Sequence, residues 1–247
     1  ELFYTTARLS LNLPNLQTVA LAAEAAGLDI GTNPWNSTLQ MDTYGAKLRL
    51  VGDAVYTADS WLPQIAVGYL YKDNKSDELI HTLGANKNKD YEVFLSATKV
   101  LFPISTLVNI GARYTSANQI GLTGFGSCDG PNDCKNEKEV RMEVSVAHLV
   151  AKNTAIGFEW QQHGDNLDGK SITVANLPLE GLADTLGVAL PGLESSLTQK
   201  KEGDWYDLFM AYAPNKNISF VVAYLMFSNI SVAPDQNGFY FSTHLTF

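Results

Sequence analysis

Apolar and polar residues alternate with a period of two along most of the chain. In residues 1–13, Phe3, Thr5, Ala7, Leu9 and Leu11 share one parity, and Tyr4, Thr6, Arg8, Ser10 and Asn12 share the other. Alternation of this kind puts successive side chains on opposite faces of a strand. It returns at Leu39–Val51, with Tyr44, Ala46, Leu48 and Leu50 against Gly45, Lys47 and Arg49. At Trp61–Lys72 it sets Ile65, Val67, Tyr69 and Tyr71 against Gln64, Ala66, Gly68 and Lys72. Further strands are predicted at 90–102, 107–115, 138–150, 155–163, 203–213, 217–227 and 238–247. In the last, Phe239, Phe241, Leu245 and Phe247 oppose Tyr240, Ser242, His244 and Thr246. Short turns at Pro103–Thr106, Ala151–Thr154 and Pro214–Lys216 alternate with long inserts at 14–38, 73–89 and 164–202 and with a cysteine-bearing loop after Thr115. The expected fold is all-β: a closed, up-and-down antiparallel transmembrane β-barrel, one domain over 1–247, with short helices in its long extracellular loops.

A soluble barrel also has two chemically distinct faces, so the orientation of those faces decides the class. Gly45, Gly68, Gly111 and Gly157 all fall on the polar parity, as a crowded interior requires. Tyr71, Tyr91, Tyr114 and Trp160 sit near one rim and Trp61 and Phe247 near the other, like the aromatic girdles of membrane barrels. Charged residues make up 17% of the chain, against about 25% in soluble domains. No apolar run approaches the roughly 20 residues of a spanning helix, the longest lying near Phe220–Phe227. Spanning must then use strands that pair all their backbone groups.

The terminal strand ending on Phe247 resembles the C-terminal signal of Gram-negative outer-membrane barrels. That resemblance implies outer-membrane localisation and contact with the barrel assembly machinery through Phe247. No cleavable leader begins at Glu1, so the chain reads as mature or trimmed. Cys128 and Cys134 in a turn-rich loop are expected to form a disulfide in an oxidising compartment. The net charge of −9 argues against nucleic acid as a partner.

Four stretches, Tyr44–Gly68 (YGAKLRLVGDAVYTADSWLPQIAVG), Ser96–Phe102, Ala117–Gly126 and Asp204–Ile230, are similar to a proteobacterial outer-membrane family of unknown function. The resemblance covers about half the chain and implies no activity and no catalytic residues. Members carry a further strand pair upstream of the position matching Glu1, which leaves ten strands or twelve open.

On the polar parity, Arg8, Lys47, Arg49, Arg113 and Arg141 face Glu92, Glu143, Glu159 and Asp207 as expected pore-lining residues. They read either as a structural ladder of ion pairs or as a constriction that selects solutes. Phe209 and Ala211 make part of the inner parity apolar, and Ile218–Phe227 is apolar on both faces. The insert 178–198, with Leu182, Leu186, Leu190 and Leu193, is expected to fold into the mouth and pack there beside Phe209 as a gate or plug. The four histidines are scattered and no nucleophile elbow occurs, so no enzymatic activity is expected. The acidic segments 129–133 and 165–169 match no calcium loop and read as solvated turns. No metal or other cofactor is expected. The functional expectation is a porin-like channel for small molecules, including hydrophobic ones, with membrane lipid and lipopolysaccharide as surroundings. The other reading is a closed, plugged barrel with a structural or surface role.

Overall fold

A computed structural model of the chain describes residues 1–12, 36–54, 61–128, 134–170, 173–174, 177–178, 199–231 and 233–245. Ten long strands form one antiparallel sheet: β1 (Leu2–Asn12), β2 (Asn36–Val51), β3 (Gln64–Asn74), β4 (Lys89–Leu101), β5 (Thr106–Thr115), β6 (Glu139–Ala151), β7 (Thr154–Gln161), β8 (Trp205–Asn215), β9 (Ile218–Ile230) and β10 (Ala233–Leu245). Each strand pairs with its neighbour in sequence, and the sheet curls into a half-barrel. Among the described residues β1 pairs only with β2 and β10 only with β9, so the edge-to-edge seam of a closed barrel is not formed. No described helix is long and apolar enough to cross a membrane.

The two faces follow from the register. Directly paired residues share a face, and the line Phe3, Gly45, Leu70, Glu92, Thr115 runs along the concave side. Tyr4, Tyr44, Tyr71 and Tyr91 form the matching line on the convex side. Convex residues are large, apolar and exposed on nearly every strand, among them Leu48, Leu95, Ile110, Val140, Ile156, Leu208, Phe239 and Phe241. Three inner-face glycines have one cause. The rings of Phe3, Phe94 and Phe209 reach over Gly45, Gly68 and Gly157 of the adjacent strand, where any Cβ would overlap the ring. Glycine thereby lets an aromatic side chain cover the neighbouring backbone while the sheet bends.

The chain passes between strands through 52–63, 102–105, 152–153 and 216–217 at one end and through the longer segments 13–35, 75–88, 116–138 and 162–204 at the other. The β9–β10 connection differs from the expected loop. β10 begins at Ala233, and the register shifts twice between Met226 and Ile230 instead. At the long-loop end the described loops build a cap. Helix α1 (Asp77–Thr82) buries Leu79 and Ile80, and Leu83, Ala85, Phe125 and Leu167 are buried with Leu39 and Met41 of β2. The 73–89 connection therefore carries a small apolar core rather than a purely polar loop. Backbone bridges from Lys87 and Ala117 to Phe125 tie two loops together. The Cys128–Cys134 disulfide clamps a short ladder at 127–128 and 134–135.

Candidate functional site

The site occupies the concave face below the cap. Glu92 of β4 is fully buried and is the hub of an ion network. Its Oε2 accepts from Lys72 Nζ of β3 at 2.9 Å and from Arg113 Nη1 of β5 at 2.8 Å. Its Oε1 accepts from Thr115 Oγ1 at 2.7 Å. Arg113 Nε continues to Glu143 Oε1 of β6 at 2.6 Å, and Gln161 Nε2 of β7 donates to the same oxygen at 3.1 Å. Alternation puts these groups on one face, and the antiparallel register brings five strands to one spot.

The tops of the same strands hold loop 116–126 in the mouth. Lys72 Nζ also donates to the Ile120 carbonyl at 2.7 Å, and Asn74 Nδ2 donates to those of Gly121 and Leu122 at 3.1 and 2.7 Å. Arg141 Nη1 donates to the Ala117 carbonyl, and the Ala117 N–H donates to Thr115 Oγ1. From the other side, Glu202 Oε2 accepts from the Gln119 N–H at 3.1 Å. Gln119 and Ile120 both take positive φ, a conformation that non-glycine residues hold only when their surroundings fix it. Burial pushes the Glu202 carboxyl up to about 8. His163, stacked on Trp205 at 4.4 Å between ring centroids, is pushed down to about 4 because burial disfavours the imidazolium.

Beside the network lies a cavity of about 170 Å³ walled by Glu143, Ser145, Glu159, Asp207, Trp205 and Phe227. Asp207 stands directly opposite Glu159, and Ser145 Oγ donates to Glu159 at 2.7 Å. One step further along the strands, Phe209 over Gly157 and its partner Ala223 continue the wall as an apolar strip.

Of the residues singled out from sequence, Lys47, Arg49, Glu92, Arg113, Arg141, Glu143, Glu159, Asp207 and Phe209 lie on this concave face. Arg8 is a correction. It pairs with Gln40 on the convex parity of Tyr4 and Tyr44, because the apolar set of β1, led by Phe3, is the inward one. Arg49 lies apart from the network and bonds Asp53 at 2.8 Å, with more than half its side chain exposed. Lys72 was missed as a site residue although it sits on the parity of Gly68. The loop 116–126 was missed as the mouth cover; its signal is Phe125 and Leu122 among closely spaced glycines. The expected cover at Leu182, Leu186, Leu190 and Leu193 lies outside the described residues, as does Phe247. Among the described residues no cluster of His, Cys, Asp or Glu has the grouping of a metal site.

A large curled antiparallel sheet with an apolar exposed face and a charged concave face is compatible with a β-barrel of the bacterial outer membrane. The model of the family described as "Protein of unknown function (DUF3034)" matches residues 3–244, and the chain belongs to that family. No curated protein and no solved structure matches.

Proposed function

We propose that the chain forms a closed outer-membrane β-barrel through which small solutes pass passively along a narrow, loop-constricted lumen. The observation that carries this reading is the inversion of its faces. Leu48, Leu95, Ile110, Ile156 and Leu208 point outward and are exposed, whereas Lys72, Glu92 and Arg141 point inward and are buried. Lipid reverses the usual rule that apolar side chains go inside, and the convex face fits that solvent. The tyrosine row Tyr4, Tyr44, Tyr71 and Tyr91 supports a boundary there. On the same convex face, Asp42 and Asp73 follow immediately toward the long-loop end, bridged by Lys75 at 3.8 Å to Asp42. A change from aromatic to charged within one step along the strand suits a hydrocarbon–headgroup interface. Lipid and lipopolysaccharide are then its surroundings, and the barrel carries out no chemistry.

The loop 116–126 latched in the mouth favours a second reading, a sealed barrel with a structural role. Conductance in planar bilayers and liposome swelling with the purified full-length protein separate the two. A small conductance is expected, larger in an Asn74→Ala variant that loosens the loop. No permeation by either protein, with both still folded by circular dichroism, would establish the sealed reading.

A further inference from the structure

The cations of the inner wall are unevenly committed. Lys72 and Arg113 are engaged with Glu92 and Glu143, Arg141 with the Ala117 carbonyl, and Arg49 with Asp53. Lys47 stands on β2, at the opposite side of the half-barrel from β7 and β8. Glu159 receives the Ser145 hydroxyl, and Oδ1 of Asp207 is buried without a hydrogen-bond partner. Among the described residues no Lys or Arg forms a salt bridge to either carboxylate. The same cavity has an aromatic wall. It is formed by Trp205 and Phe227, which meet edge-on at 4.6 Å, and His163, outside the lining, backs Trp205 by stacking on its ring. His163 is neutral at physiological pH, so it puts no positive charge behind Trp205.

We propose that this cavity is a binding site for small organic cations, amines with a short apolar body, and that it makes the lumen selective for them. The ammonium group takes the place of the missing cation between Glu159 and Asp207, where charge-assisted hydrogen bonds form. The apolar body lies against Trp205 and Phe227, whose π faces also attract positive charge. The volume of about 170 Å³ is below the roughly 300–1,000 Å³ of sites for drug-sized ligands, which restricts the solute to a small one. Beyond the carboxylates, Phe209 and Ala223 continue an apolar surface along which such a body slides. The selectivity part of the proposal rests on the channel reading; the binding part does not.

The test is binding of phenylethylammonium to the purified full-length protein in detergent, followed by calorimetry and tryptophan fluorescence. Saturable binding is expected, with phenylacetate and phenylethanol binding at least about tenfold more weakly. Glu159→Gln with Asp207→Asn should weaken phenylethylammonium about tenfold or more, and Trp205→Leu should remove the fluorescence response. Equal binding of phenylethylammonium and phenylacetate, or an unchanged double variant, would overturn the site. Bilayer recordings in a potassium chloride gradient then address selectivity. A cation-directed reversal potential that the double variant reduces supports the proposal, and an anion-directed one overturns it. Binding without any conductance would retain the site and reject the channel.

Discussion

At the residue scale, the inner wall separates two kinds of ion pair that sequence alone treats alike. Arg113 and Arg49 both alternate into the concave face, yet their surroundings differ. Arg113 and Lys72 share the fully buried Glu92, so each charge depends on the others for its solvation. Taking Glu92 away leaves the buried Lys72 without a carboxylate and Arg113 with Glu143 alone, and breaking buried pairs of this sort costs about 3–5 kcal/mol. The exposed Arg49–Asp53 pair belongs with surface bridges worth about 0–1 kcal/mol. A Glu92→Gln variant is therefore expected to unfold at clearly lower denaturant concentration, and Arg49→Ala to match the parent protein. Denaturation in detergent followed by tryptophan fluorescence checks both. Comparable losses in the two variants would mean that the network is hydrated and open to the lumen. Arg49→Ala should also leave single-channel conductance unchanged, because Arg49 stands outside the network.

At the scale of elements, the cap brings together groups that favour different pH ranges. Glu202 has a folded pKa of about 8 because it is buried, above the ordinary glutamate value. The folded cap then binds the proton more tightly than the unfolded chain does. Its contribution is complete below the ordinary value and is lost as pH rises toward 8. His163 has the opposite sense. Its folded value near 4 lies below the ordinary 6.5, so its contribution is lost as pH falls from 6.5 to 4. Above pH 6.5 only Glu202 of the two titrates. Stability is expected to fall between pH 6.5 and 8.5 by roughly 1–2 kcal/mol, and Glu202→Gln should flatten that slope. Urea midpoints at matched ionic strength measure it; a slope retained in the variant would place the titration on another group.

The strands around this cap were legible because period-two alternation survives wherever one face meets polar groups and the other does not. The bounds of β4, β5 and β6 agree within a residue or two with the alternation. Arg8 escaped because β1 carries threonine on both faces, Thr5 on one and Thr6 on the other, so the sign of its alternation was ambiguous. The cap escaped for a different reason. Its core is made of single apolar residues from loops distant in sequence, such as Ile80, Phe125 and Leu167, and no period links them. Lys72 and Glu92 lie on adjacent strands one same-face step apart in register, and only the pairing of β3 with β4 places them within reach.

At the scale of the whole molecule, the open question of physical chemistry is the pair of edges. β1 and β10 each have a neighbour on one side only among the described residues. In water such an edge is hydrated, but in hydrocarbon every unpaired N–H and C=O costs several kcal/mol. A sheet whose convex face meets lipid, as proposed, therefore has to pair these edges once it is inserted. β1 carries one charged residue, Arg8, and the Phe239–Leu245 part of β10 carries no Asp, Glu, Lys, Arg or proline, so neither edge has the run of charges or prolines that guards free edges in soluble sheets. Amide hydrogen exchange in lipid bilayers is expected to be as slow in Phe3–Leu9 and Phe239–Thr243 as in β4 and β5. Fast exchange confined to those two segments would mean that the edges stay open, and an open-edged sheet is incompatible with a lipid-spanning wall. Slow exchange at both edges would leave the identity of the pairing strand to cysteine cross-linking. A disulfide between Thr5→Cys and a cysteine on β10 reports direct ten-strand closure, and its absence across all β10 positions indicates that other strands complete the wall.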